Sequence, residues 1–138
     1  MIEMLKIGQE FHWNMVITID IMNKFREISL DDNPIHIDPN YSKLYGFRNI
    51  VCYGNLLGLM ISSLVGVEMR KYKVMLISQN ILYRHPFHPG DKIQLLGIME
   101  NISIALKVAE LKLTFTNGKK VTIAQGKCQV KEMVEIKI

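Results

Sequence analysis

Between Asn55 and Arg70 the chain has no polar face. Leu56, Leu57, Leu59, Met60, Ile61, Leu64, Val65, Val67 and Met69 fall nearly all round a helical wheel. A helix that is apolar on every side must be buried on every side, so the rest of the chain has to surround it. Gly58, Ser62, Ser63 and Gly66 are small enough for other backbone to approach. The two glycines each weaken a helix by roughly 1 kcal/mol relative to alanine, a loss that packing must offset. The least charged part of the run, Leu56–Val67, is 12 residues long, too short to span a bilayer.

The second half of the chain supplies the surround. Strands are predicted over Lys73–Tyr83, Lys92–Glu100, Ala105–Thr116 and Lys120–Ile138. The turn-forming stretch His85–Asp91 (HPFHPGD) follows the first, and Asn117-Gly118, a hairpin signal, separates the last two. Alternation is clear where Leu111, Leu113 and Phe115 oppose Lys112, Thr114 and Thr116. Before the apolar helix lie a predicted strand over Glu10–Ile17, a short amphipathic helix from Ile19 to Ile28 and a helical turn at Tyr41–Tyr45. Thr18 is placed to cap the first helix, with Asp20 near the positive end of its dipole. Long hairpin-joined strands and one apolar helix predict an α+β fold, a curved antiparallel β-sheet wrapped around a central apolar α-helix.

With 138 residues the chain is expected to be a single domain over 1–138. A charged fraction of 22% and a hydrophobic fraction of 49% suit a globular fold. The net charge of +4 comes without a basic run, which argues against nucleic acid as a partner. Glu3, Lys6 and Glu10 break up the start of the chain, so no secretory leader is expected there. No membrane insertion is expected. Cys52 and Cys128 read as reduced thiols of a cytoplasmic protein rather than a disulfide framework.

Chemistry concentrates in Ser29–Tyr41, SLDDNPIHIDPNY. Pro34 pushes Asn33 out of the helical region, so the segment is predicted to be a shaped loop holding Asp31 and His36 toward one point. A carboxylate and an imidazole so placed suit general acid–base catalysis. Each residue has a plainer reading as well. Asp31 can cap its own backbone, Asn33 can brace the loop with its amide, and His36 between Ile35 and Ile37 can be a core histidine. Asp32 and Asp38 read as solvated charges. Gly54, at the start of the apolar helix, can merely permit a turn or can offer an unpaired N–H to an anion. His85 and His88 are three residues apart around Pro86 with no carboxylate or cysteine set to complete a site, so no metal is expected. Cys52 has no base spaced to activate it and reads as a buried thiol.

The segments FREISLDDNPIHIDPNY, FRNIVCYGNLLGLMISSLVG and RHPFHPGDKIQLLG, in that order, resemble the MaoC-like hot-dog family, in its (R)-specific enoyl-CoA hydratase branch. The specific part is Asp31, Asn33, Pro34, Ile35 and His36; Gly54 and the Pro89-Gly90-Asp91 turn support it. The resemblance implies a hot-dog fold, usually a homodimer whose sheets join edge to edge. It implies reversible syn addition of water to a trans-2-enoyl thioester, giving an (R)-3-hydroxyacyl thioester. Asp31 and His36 would bind the water and exchange protons, and the Gly54 N–H would hold the thioester carbonyl. Ser62 and Val65 would line the acyl pocket, or simply pack helix against sheet. The substrate would ride on coenzyme A or an acyl carrier protein, with no cofactor or metal. Members of the family often carry histidine where this chain has Tyr53, methionine where it has Asn55, and glycine where it has Leu30. Two other readings stay open: a hot-dog thioesterase, in which the carboxylate activates water toward the carbonyl, and a non-catalytic acyl-thioester-binding subunit.

Overall fold

The computed structural model describes all of residues 1–138. In chain order the elements are β1 (Glu10–Val16), α1 (Ile19–Ser29), α2 (Pro39–Leu44), α3 (Leu56–Ser63), β2 (Val74–Tyr83), β3 (Lys92–Ser103), β4 (Val108–Thr116) and β5 (Thr122–Glu132). The five strands form one antiparallel sheet in the order β1-β3-β4-β5-β2. Alternation decides which face is inside: Ala109, Leu111, Leu113 and Phe115 of β4 are buried against α3. Each such Leu or Phe contributes about 1.5–3 kcal/mol through burial. Gly97 of β3 allows close packing, because a Cβ there would lie 3.0 Å from the Leu64 side chain. No helix is long and apolar enough to cross a membrane.

The apolar run departs from the uniform, fully buried helix expected over Asn55–Arg70. After α3 comes a π turn over Leu64–Glu68, closed by the Met69 N–H on the Leu64 carbonyl at 3.2 Å, and then a 3-10 turn over Arg70–Tyr72. The buried positions Leu57, Ile61, Val65 and Met69 recur every four residues. Four residues overshoot a 3.6-residue turn by about 40°. The inward stripe therefore drifts, and the wider π turn brings Met69 back toward the core. The sheet covers only one side of the run: Leu59 and Val67 remain 44% and 47% exposed. Ser62 and Gly66 are exposed as well.

Strand ends and the last hairpin also differ from expectation, and β3 runs on to Ser103 rather than stopping at Glu100. β4 starts at Val108, not Ala105, because Lys107 takes a positive φ of 56° and its N–H bonds the Ile104 carbonyl in a turn. β5 ends at Glu132, and Met133–Ile138 has no regular structure. The hairpin at Asn117 is longer than a two-residue Asn-Gly turn. Asn117 Oδ1 accepts from the Lys119 and Val121 N–H groups, and Lys120, not Gly118, takes the left-handed conformation. That is a type I turn closed by a left-handed residue.

Candidate active site

Thr18 caps α1 as predicted, its Oγ1 accepting the Ile21 N–H at 3.1 Å. The helix ends at Leu30, whose φ of 60° is left-handed, an unusual conformation for a branched residue. This turn sends the chain straight into the loop. Asp31 Oδ1 accepts the Asn33 N–H at 3.1 Å, and Asn33 Oδ1 accepts the Ile35 N–H at 3.1 Å. Asn33 is extended, at φ −55° and ψ 126°, and Pro34 opens a 3-10 turn through His36. Asp38 and Pro39 repeat the device: Asp38 Oδ1 accepts the Asn40 N–H at 2.9 Å and starts α2. Asp38 is thus a helix cap rather than only a solvated charge, a role that Asp-Pro ahead of a helix signals.

These two turns leave Asp31 Oδ2 facing His36 Nε2 at 3.8 Å. The Asp31 side chain is 45% exposed and that of His36 15%. On the far side of its ring, His36 Nδ1 lies 2.6 Å from the Val51 carbonyl. A carbonyl only accepts, so Nδ1 carries the hydrogen, and the neutral ring presents a lone pair at Nε2.

The stretch Val51–Gly54 runs beneath the pair. Val51 N–H bonds the Ile35 carbonyl, and Cys52 N–H bonds the Phe87 carbonyl. Tyr53 is 3% exposed. Its ring stacks on His36 with centroids 4.1 Å apart and an interplanar angle of 28°. Phe25 of α1 lies 4.6 Å from the same ring. The Tyr53 hydroxyl donates to the Asp31 backbone carbonyl at 2.6 Å. Burial, and secondarily the Asp31 carboxylate, raise the pKa of this phenol. Burial and then Asp91 push the Cys52 thiol up to about 12.

A cleft of about 320 Å³ opens beside His36, bordered by His36, Val51, Gly54, Tyr83 and Phe87 among others, with Asp31 outside its lining. The Gly54 N–H finds no acceptor within the chain and immediately precedes the first turn of α3. A Cβ at Gly54 would lie 3.0 Å from the Tyr83 ring, so glycine lets that ring sit close over the backbone without shifting. Burial raises the pKa of Tyr83.

The structure therefore brings Asp31, His36 and Gly54 into one neighbourhood. Asn33 shapes the loop and borders a separate groove with Ile35, Tyr41, Tyr45 and Phe47. Ser62 and Val65 do not border the cleft: Ser62 is exposed on α3 and Val65 is buried in the π turn. His85 is exposed, while His88 is buried with Nδ1 2.8 Å from the Ile50 carbonyl. The Pro-Gly-Asp turn is pinned by Gly90 N–H on the Ile17 carbonyl and by Asp91, which takes the His88 N–H and pairs with Arg48 at 2.8 Å. Two contributors were not picked out from the sequence. The Val51 carbonyl has no side-chain signal, and Tyr83 reads only as the end of a strand.

Residues 5–121 match the family described as MaoC like domain. The chain belongs to the MaoC-like domain family. One curated MaoC-like relative is the mitochondrial 3-hydroxyacyl-[acyl-carrier-protein] dehydratase of Arabidopsis thaliana, 28% identical over 101 residues. Another is the (R)-specific enoyl-CoA hydratase of Aeromonas caviae, 25% identical over 89 residues. These matches take in 73% and 64% of this chain, and 58% and 66% of the two relatives. Among solved structures, an (R)-hydratase from A. caviae involved in PHA biosynthesis superposes with a TM-score of 0.87. That superposition covers 94% of this chain and 98% of the other, at 21% identity. The curved five-stranded sheet around a helix is thus the hot-dog fold.

Proposed function

We propose that this MaoC-like chain, working as a single domain, is a hydro-lyase. It adds water to trans-2-enoyl thioesters to give (R)-3-hydroxyacyl thioesters, or runs the reverse dehydration. The observation that carries the reading is Asp31 Oδ2 facing His36 Nε2 at 3.8 Å, beside a cleft bordered by the unengaged Gly54 N–H. The similarity to hydratases and a dehydratase supports the same class.

The chemistry follows from what each group can do. A water between Nε2 and Oδ2 can bond to both. In hydration its oxygen bonds to C3 of the enoyl group while the pair removes one of its protons. Negative charge moves to the thioester oxygen, where the Gly54 N–H at the positive end of α3 stabilises it. The pair then delivers a proton to C2 from the same face, and its protonation returns to the starting state. Asn33 acts by holding the loop. No electrons enter or leave, so the reading assigns no redox cofactor, and the substrate rides on coenzyme A or an acyl carrier protein. Crotonyl-CoA hydration tests it. Asp31→Asn and His36→Ala should each lower kcat/KM about 10²- to 10⁴-fold with Tm retained. Wild-type activity in both variants would refute the assignment, and release of free thiol without loss of the enoyl absorbance would support hydrolysis instead.

The reading includes a cytoplasmic homodimer. β2 forms one edge of the sheet, with Met75, Ile77 and Leu82 exposed along it. Leu59, Ser62 and Val67 add a further exposed stretch, which is where Ser62 would meet an acyl pocket completed by a second chain. Sedimentation equilibrium should return twice the 15.9 kDa chain mass; a monomer at micromolar concentration would reject the dimer.

A further inference from the structure

We propose that Tyr53 is the positioning residue of the acid–base pair, a buried phenol that holds the His36 ring by stacking and the Asp31 backbone by its hydroxyl. The inference rests on the hydratase reading above for its kinetic form, though not for its structural one.

Asp31 is weakly anchored without it. Its N–H bonds Ser29 Oγ and its Oδ1 takes the Asn33 N–H, both within the same exposed loop. The Tyr53 hydroxyl, 22 residues away, ties its carbonyl to the buried interior at 2.6 Å. His36 is referenced to the same short stretch, through Nδ1 to the Val51 carbonyl and through its face to Tyr53. Both members of the pair therefore take their positions from residues 51–53. Phe25 at 4.6 Å fixes the phenol in turn. Burial and Asp31 keep the hydroxyl protonated, which is the state a donor needs.

Tyr53→Phe separates the two contacts, keeping the ring and deleting the tether. The expected result is a fall in kcat of about 10- to 100-fold with KM unchanged, the scale that a misplacement near 1 Å produces. Tm should stay close to wild type, because Tyr53→Phe keeps the buried ring and Asp31 lies in an exposed loop. Val130→Ala, in the buried core at the end of β5 that pairs with Leu76 rather than with Tyr83, is the packing control and should lower Tm while leaving kcat near wild type. A Tyr53→Phe enzyme with wild-type kcat overturns the proposal. So does a Tyr53→Phe enzyme whose Tm falls as far as that of the packing control. Hydrogen exchange supplies a readout independent of turnover. The Asn33 and His36 amides should exchange faster in Tyr53→Phe while those of α3 do not, and unchanged protection overturns the tether. If the wild type hydrates no enoyl thioester, the hydratase reading fails, and exchange still decides the role of Tyr53.

Discussion

The loop Leu30–Ile37 and the stretch Val51–Gly54 meet at the site and are built in opposite ways. The loop carries the proposed acid–base pair, is largely exposed, and its side-chain bonds are short-range, with Ser29 at the end of α1, Asp31 and Asn33 each accepting the N–H two residues on. Val51–Gly54 contributes no acid or base. It is buried at Cys52 and Tyr53, and its polar groups reach outward to Ile35, His36, Phe87 and Asp31. Reactivity needs access to substrate and water, whereas register needs a rigid reference. The molecule assigns the two demands to separate segments. A self-bonded turn fixes the local shape of the loop, and the buried stretch fixes where that shape sits.

The contrast can be broken from either side. The largest effect should come from the loop, where Asp31→Asn or His36→Ala removes about 10²- to 10⁴-fold of kcat/KM on crotonyl-CoA with the fold intact. Next comes Gly54→Ala. The new Cβ would press on the Tyr83 ring from 3.0 Å and displace the backbone donor. A loss of about 10²-fold in kcat is expected, with a lower Tm from the same clash. If kcat survives while Tm falls, Gly54 serves packing alone. Tyr53→Phe should sit at or just below that level and, unlike Gly54→Ala, spare Tm.

The smallest effect is on stability at alkaline pH. Cys52 is raised from 9.0 to about 12 in the folded chain, chiefly by burial. A raised folded pKa means that the neutral thiol is the form the fold keeps. Its contribution is complete below pH 9 and is lost as pH climbs from 9 toward 12. The fall in Tm between pH 8 and pH 10 should therefore be shallower in Cys52→Ala than in wild type. Equal slopes would mean that Cys52 ionises as readily folded as unfolded, and that this end of the stretch is not dry.

Much of this was legible in the residues. Period-two alternation in β4 marks its inner face because a strand's geometry is uniform. Thr18, Asn33-Pro34 and the glycine before the apolar run act locally, so their neighbours in sequence are their neighbours in space. What stayed hidden depends on distance or on a change of period. The hydroxyl of Tyr53 meets a carbonyl 22 residues back, and no local pattern encodes that. The apolar run read as buried on all sides because its inward stripe changes line across the π turn, so residues on every face of an ideal helix look like core. The sheet leaves Leu59 and Val67 uncovered, which a count of apolar residues cannot reveal. At Asn117 the hairpin was visible but its length was not, since the left-handed position falls on Lys120 rather than on the glycine.

Tyr83 closes β2 and also forms a wall of the cleft, with its ring laid against Gly54. It is a residue of two borders at once. β2 pairs with β5 on one side and leaves its other side unpaired. Anything that docks along that strand becomes a neighbour of the Tyr83 ring and so of Gly54. If the proposed dimer and the proposed activity both hold, a change in the company this chain keeps would register in its kinetics as well as in its mass.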